Sequence, residues 1–166
     1  VLAYNFSSRG FDAAFPDSDY LPTDLEFHGG NPNMNLFEGN MGTEMMADNY
    51  WGSSRNNTFF RNYVSRYSEG ELRTIKYGIW AARVDAQNLY INFVGNILGN
   101  AQGLGVQFSS AIWLLGRDGN NTTNNVNIGV NGPIGDPRVQ STLINHGNFN
   151  YINNQTEWMS SIADHV

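Results

Sequence analysis

The chain has 166 residues, a net charge of −6 and only 14% charged residues. This length is that of one domain with a sizeable core, and the chain lacks the clustered Lys and Arg that nucleic acid binding requires. It contains no cysteine, which excludes disulfides and zinc–thiolate sites, and no apolar run reaches the roughly 18 residues of a membrane-spanning helix. We therefore expect no nucleic acid partner and no membrane insertion.

Short runs rich in aromatic and β-branched residues, separated by Asn, Gly and Ser, predict an all-β fold. In chain order, the predicted strands are 1–7, 24–28, 36–41, 45–51, 58–67, 74–84, 88–98 and 107–115. Residues 10–24 form a predicted loop, and Asp136 and Pro137 suit the N-cap and first position of a short helix. The single domain, 1–166, thus divides into coils at 1–115, a polar loop at 116–135, and a final coil with an irregular tail at 136–166.

Four asparagines stand in the same apolar frame: Asn5, Asn40, Asn62 and Asn96. An apolar residue lies three positions before each of them, namely Leu2, Phe37, Phe59 and Phe93. Another directly follows each of them, namely Phe6, Met41, Tyr63 and Ile97. The separations of 35, 22 and 34 residues predict a β-solenoid with coils of about 22 residues and insertions at 10–33 and 68–88. In such a stack the Asn side chains form a structural ladder of hydrogen bonds, and the apolar residues on both sides pack inside.

The sequence starts at Val1, inside a predicted strand. The open ends of a solenoid must be covered to prevent uncontrolled pairing. We therefore expect the chain to be a fragment of a longer protein in which further coils precede Val1, or to be covered there by another chain or copy.

Several segments resemble a known group of proteins. Residues 27–40 read Phe-His-Gly-Gly-Asn-Pro-Asn-Met-Asn-Leu-Phe-Glu-Gly-Asn, and 48–62 read Asp-Asn-Tyr-Trp-Gly-Ser-Ser-Arg-Asn-Asn-Thr-Phe-Phe-Arg-Asn. With Asp-Pro-Arg-Val at 136–139 and His-Gly-Asn-Phe-Asn-Tyr at 146–151, the chain resembles bacterial right-handed parallel β-helix proteins of the pectin-lyase-like superfamily. The resemblance implies that fold, secretion to the extracellular space or cell surface, and binding of or action on polysaccharides. The complete motif set of polygalacturonases is missing from this sequence.

Acidic residues gather before and within the second predicted strand. Asp17 and Asp19 are candidate Ca²⁺ ligands, since Ca²⁺ takes carboxylate and carbonyl oxygens. If 24–28 is a strand, Asp24, Glu26 and His28 share one face and are candidates for a catalytic acid and base. The alternative is a solvated loop followed by an exposed strand face.

Tyr50 and Trp51 are candidate carbohydrate-binding residues, because aromatic faces stack on sugar rings. Arg55, Arg61 and Arg66 can bind uronate carboxylates in bidentate pairs, and Arg55 is also a candidate catalytic residue for β-elimination. In the alternative, Trp51 packs in the core or under a loop, and the arginines pair with Glu38, Glu44 or Asp48.

Two functions remain open. The first is a secreted or surface-associated module for binding or extracellular assembly, with polysaccharide as a ligand class. The second is a polysaccharide lyase or glycoside hydrolase acting on acidic polysaccharide. The missing catalytic motif favours the first.

Overall fold

The computed structural model describes residues 1–7, 23–65, 80–99, 112–117 and 136–159. In this part of the chain short strands predominate, as the sequence predicts. They are β1 (Leu2–Ala3), β2 (Leu25–Phe27), β3 (Leu36–Glu38), β4 (Met41–Gly42), β5 (Met45–Ala47), β6 (Thr58–Phe60), β7 (Tyr63–Val64), β8 (Ala82–Asp85), β9 (Asn92–Val94), β10 (Ile97–Leu98), β11 (Trp113–Arg117), β12 (Ile144–His146), β13 (Asn148–Asn150) and β14 (Gln155–Glu157). The helix α1 spans Pro137–Thr142.

The strands form three sheets. Sheet 1 has the order β1-β3-β6-β9-β12, sheet 2 the order β14-β13-β10-β7-β4, and sheet 3 the order β11-β8-β5-β2. Every pairing of these strands is parallel except that of β13 with β14. The chain passes through sheets 1, 2 and 3 in turn and then starts again. The all-β prediction is therefore confirmed, with parallel sheets.

The strand register aligns the predicted apolar frame. In sheet 1 the partner positions are Leu2, Phe37, Phe59 and Phe93. In sheet 2 they are Phe6, Met41, Tyr63, Ile97 and Phe149. Each framed Asn therefore lies at the corner between sheets 1 and 2. The predicted insertions at 10–33 and 68–88 contain β2 and β8, which both belong to sheet 3.

Aromatic residues of sheet 1 form the centre of the core. Phe59 stacks between Phe37 and Phe93, with ring centroids 5.4 and 4.8 Å away. Phe27, on β2 of sheet 3, contacts Phe59 with ring centroids 5.1 Å apart. Trp113 contacts Phe93 edge to face, also with ring centroids 5.1 Å apart. Such pairs add to the stabilisation that burial of the rings provides. Phe37, Phe59 and Phe93, which lie three positions before a ladder Asn, thus pack in the core.

The residue after each ladder Asn does not pack inside, so this part of the prediction is wrong. Ile97 is exposed and Tyr63 is half-buried, whereas Val64 and Leu98, one position further on, are completely buried. The physical reason is strand alternation. The Asn side chain turns inward at the corner, so the next side chain points out and the one after it points in.

The predicted asparagine ladder is present and has a fifth member. The ladder runs in the order Asn5, Asn40, Asn62, Asn96 and Asn148. Each member after Asn5 accepts hydrogen bonds at Oδ1 from the backbone N–H and the side-chain amide of the member before it. The last four are buried, and Asn5 is exposed. The residue before each ladder Asn has left-handed backbone, with φ between 54° and 69°, at Tyr4, Gly39, Arg61, Gly95 and Gly147.

The predicted start of the helix is confirmed. The side chain of Asp136 caps α1 by accepting a hydrogen bond from the backbone of Arg138, and Pro137 follows the cap. The tail predicted to be irregular at 151–166 contains β14, which closes the outer edge of sheet 2. Among the described residues, helices long and apolar enough to cross a membrane are not found.

Candidate functional site

The outer face of sheet 3 carries the candidate site. On β2, Leu25 and Phe27 are buried in the core, and Glu26 between them points outward. His28 follows directly after the strand and is exposed. The alternation of the sequence therefore correctly placed Glu26 and His28 on one side of the strand.

The ring of His28 lies between two carboxyl groups. Its Nδ1 is 2.5 Å from Asp48 Oδ2 and 3.1 Å from Glu26 Oε1. The side chain of Asp48 is only 8% exposed, against 47% for His28. Glu26, His28 and Asp48 are called the His28 cluster below.

Asp48 joins the cluster through the pairing of β2 with β5. Phe27 pairs with Ala47, so the residues that follow these strands, His28 and Asp48, come side by side. Sequence reasoning considered Asp48 only as a partner for an arginine. Placing Asp48 beside His28 requires the register between β2 and β5, and the alternation of side chains along one strand does not give that register.

Further charged groups lie on β8, the next strand of sheet 3. The Arg83 guanidinium donates two hydrogen bonds to the buried Asp85 carboxylate, at 2.8 and 2.5 Å. Burial is the main cause that raises the pKa of Asp85 above its ordinary value. Glu44, which precedes β5, is also buried, and this burial raises its pKa to about 7. The cluster therefore belongs to a longer row of carboxyl groups.

The environment shifts both titratable partners in the cluster. Burial raises the pKa of Glu26, against the opposing effect of His28. The hydrogen bond to Asp48 raises the pKa of His28. This arrangement favours a proton held between the ring and the carboxyl groups, which is a suitable environment for general acid chemistry.

Tyr50 and Trp51 stand beside the cluster. Trp51 is 66% exposed, so the alternative in which it packs in the core is wrong. The two rings meet edge-on at 4.7 Å, and Tyr50 stacks on His28 with centroids 6.1 Å apart and an interplanar angle of 19°. The rings of His28, Tyr50 and Trp51 therefore form a row that extends from the carboxyl groups to an exposed aromatic surface.

Asp24 does not join the His28 cluster. Its Oδ1 accepts a hydrogen bond from Ser7 at 2.6 Å, and its Oδ2 accepts two from Thr43 at 2.7 Å. The strand begins only at Leu25, and Asp24 instead connects the chain near sheet 2 to sheet 3. The expected sharing of one face by Asp24, Glu26 and His28 is therefore wrong for Asp24, whose contacts are structural.

Arg55 and Arg61 have their described contacts with residues outside the His28 cluster. Arg61 forms an ion pair with Glu38 and places its guanidinium 4.7 Å above the Phe60 ring, so one of the pairings in the alternative is present. Arg55 is exposed and bridges Asn33 and Leu89 through its backbone. Asp17, Asp19 and Arg66 lie outside the described residues.

An open cavity of about 490 Å³ adjoins the cluster. Its lining includes Glu26 and His28, the turn at Gly29 and Gly30, and apolar residues such as Phe37. Mixed polar and apolar walls of this kind are typical of small-molecule sites.

Comparisons of the chain with protein-family models, with curated proteins and with solved structures found no match.

Proposed function

We propose that the chain is a right-handed parallel β-helix module of the pectin-lyase-like type, secreted or displayed at a cell surface, which binds polysaccharide on the outer face of sheet 3. The repeated passage through three parallel sheets and the asparagine ladder support this fold. The observation that carries the function is the exposed Tyr50–Trp51 pair next to the His28 cluster.

The proposed binding mode combines stacking with hydrogen bonding. Exposed aromatic pairs are unusual on a soluble surface unless they bind something, because their rings are poorly hydrated. Sugar rings present C–H groups to such rings and hydroxyl groups at their rims. Glu26, whose side chain is partly exposed, offers an acceptor for these hydroxyl groups beside the rings.

The charge of this face favours a neutral polysaccharide. Glu26 and Asp48 lie together, and Asp85 follows on the neighbouring strand, where Arg83 is already engaged by it. A uronate carboxylate brought here would be repelled by like charges. We therefore assign neutral glycans to the site ahead of the acidic polymers that the sequence alone suggests.

Binding to a panel of insoluble and soluble polysaccharides tests the proposal. Trp51→Ala should weaken binding at least tenfold and leave the unfolding midpoint unchanged, because the ring is largely exposed. Trp158→Ala is a matched control, since Trp158 is 67% exposed and contacts His146 instead. Wild-type protein that binds no polysaccharide, or equal losses in the two variants, would overturn the proposal.

A glycoside hydrolase is the second candidate, and the raised pKa of Glu26 favours it. Retaining glycosidases place two carboxyl groups about 5 Å apart, one of them protonated as the acid. The ligand atoms of Glu26 and Asp48 lie within 4.8 Å of each other. Release of reducing sugars by wild-type protein, abolished in Glu26→Gln, would support this activity, and no release from any polymer that the protein binds would refute it.

A further inference from the structure

The His28 cluster has the composition and spacing of a metal site. It offers one imidazole nitrogen and two carboxylate oxygens, all within 4.8 Å of one another. A tetrahedral cation with bonds of about 2.1 Å holds neighbouring ligand atoms about 3.4 Å apart. The distance from Nδ1 to Glu26 Oε1 is close to this value at 3.1 Å. The shorter distance to Asp48 opens by a small rotation of His28, whose side chain is half exposed.

A second observation points to a ligand. Asp48 Oδ1 is buried and has no hydrogen-bond partner in the part of the chain that the structure describes. Buried carboxylate oxygens are almost always satisfied, so one without a donor requires an explanation. The same carboxyl group directs its other oxygen at His28 Nδ1. A cation bound by both oxygens of Asp48, beside Glu26 and His28, would give Oδ1 a partner.

The surrounding charge also favours a cation. Glu26, Asp48 and Asp85 face the region with carboxyl groups, and Glu44 adds a fourth that is partly ionised near neutral pH. The opposing charges are those of Arg83, which is held by Asp85, and Arg117. The acidic groups outnumber the basic ones, and the low exposure of Asp48 limits screening by solvent.

We propose that Glu26, His28 and Asp48 bind a divalent first-row transition cation, with Zn²⁺ as the preferred ion. The imidazole ligand disfavours Ca²⁺, which takes six to eight oxygens. Mixed nitrogen and oxygen donors suit Zn²⁺, and three protein ligands leave a coordination position for water or a glycan hydroxyl. Tyr50, stacked on the ring, orients His28 as an outer contact of the site. The proposed polysaccharide binding does not require this metal, so the inference goes beyond it.

Titration of the tag-free full chain with ZnCl₂, MnCl₂ and CaCl₂ tests the proposal by calorimetry. We expect one Zn²⁺ per chain with a micromolar or tighter Kd, and Ca²⁺ binding at least 100-fold weaker. His28→Ala and Asp48→Asn should each weaken Zn²⁺ binding at least tenfold. His146→Ala is the matched control and should bind Zn²⁺ like the wild type, because His146 lies against Trp158 and away from the cluster.

Two further readouts keep the outcome clear. Far-UV circular dichroism checks that Asp48→Asn still folds, and His28→Ala, with its half-exposed side chain, tests the site even if Asp48→Asn does not. X-ray absorption at the zinc edge should show nitrogen and oxygen ligands with one imidazole. Absence of saturable Zn²⁺ binding, or binding by His28→Ala as tight as by the wild type, would overturn the proposal. Trp51→Ala should still bind Zn²⁺ normally, which separates this site from the aromatic surface.

Discussion

Asn62 Oδ1 accepts two hydrogen bonds from Asn40, one from its backbone N–H at 2.9 Å and one from its side-chain amide at 3.0 Å. The Asn62 side chain in turn donates to the Phe37 carbonyl at 3.0 Å and to Asn96 Oδ1 at 3.1 Å. Every polar atom of this buried amide group is therefore used. The corner between sheets 1 and 2 depends on this exchange, because the backbone N–H of Asn40 and that of Asn62 each donate to the next Asn side chain and not to a backbone carbonyl.

We predict that Asn62→Ala lowers the free energy of unfolding by about 3 kcal/mol or more. The change leaves the backbone N–H of Asn40 and one of its side-chain N–H groups buried without their acceptor, and each unsatisfied group costs on the order of 1–3 kcal/mol. Urea denaturation followed by circular dichroism measures the loss.

The control for this prediction is Asn5→Ala. Asn5 belongs to the same ladder but is exposed, so water can replace its hydrogen bonds to Asn40. We expect a loss below about 1 kcal/mol. Equal losses for Asn5→Ala and Asn62→Ala would show that burial of the ladder does not determine its contribution.

Arg61 precedes Asn62 and has a φ of 54°, where three of the four other ladder positions have glycine. Left-handed backbone costs an L-residue about 1–2 kcal/mol, and glycine avoids this cost. We predict that Arg61→Gly is more stable than Arg61→Ala by up to about 1 kcal/mol. Both variants lose the same ion pair with Glu38, so this loss cancels in the comparison.

At Gln140 the same two substitutions should give the opposite order of stability, with the alanine variant more stable than the glycine variant. Gln140 is exposed within α1, where glycine is less stable than alanine by about 1 kcal/mol. Thermal unfolding of the four variants checks both signs. If alanine is also the more stable residue at position 61, backbone strain is not what governs this corner.

Sequence reasoning predicted the repeat well because the ladder imposes a fixed frame. An apolar residue of sheet 1 recurs three positions before Asn40, Asn62 and Asn96, and this spacing is visible in the sequence alone. The sequence pattern did not include Asn148, because Asn145 lies three positions before it, where the other members have an apolar residue. The glycine before it, Gly147, was the usable signal, since Gly39 and Gly95 stand at the equivalent corners with the same left-handed φ.

The candidate site was harder to predict because it depends on contacts between strands. Glu26 and His28 followed from alternation along β2, but Asp48 comes from β5 and required the register. Trp51 could be placed either in the core or on the surface, since an aromatic residue after a strand fits both. Asp24 has the right spacing for the strand face, yet hydrogen bonds to Ser7 and Thr43 hold it elsewhere.

Asp136 should make the chain sensitive to acid. Hydrogen bonds from the Arg138 side chain are the main cause that lowers the pKa of Asp136 to about 2, and the backbone N–H of Gln87 adds to the effect. A folded-state pKa below the ordinary 3.8 stabilises the protein above pH 4, and this contribution is lost as the pH falls toward 2. We predict that Asp136→Ala loses about 1–2 kcal/mol at pH 6 and that its difference from the wild type shrinks below pH 4.

Asp136→Asn separates the two parts of this effect. Asparagine keeps the cap of α1 but has no charge to titrate, so its stability should not follow the wild-type change between pH 4 and 2. Urea denaturation at several pH values measures all three proteins. A constant difference between wild type and Asp136→Ala from pH 6 to 2 would contradict the assignment.

Glu44 should have the opposite effect on how stability depends on pH. Its carboxyl group is buried, Oε2 accepts a hydrogen bond from Thr23 at 3.0 Å, and Oε1 has no partner within the described ranges. Burial raises its pKa from 4.5 to about 7, so the folded protein holds this proton more tightly than the unfolded chain. Stability from this group is therefore complete below pH 4.5 and is lost as the pH rises through 7.

We predict that the wild type loses stability relative to Glu44→Gln between pH 4.5 and 8, by at most about 3 kcal/mol. Glutamine keeps the acceptor for Thr23 and removes the ionisation, so its stability should be flatter over this range. Glu38→Gln is the control for replacing a carboxylate by an amide at another position, because Glu38 lies on β3 and pairs with Arg61. Unfolding midpoints in urea at pH 5, 6, 7 and 8 give the slopes, and parallel curves for wild type and Glu44→Gln would show that Glu44 ionises as easily in the folded chain as in water.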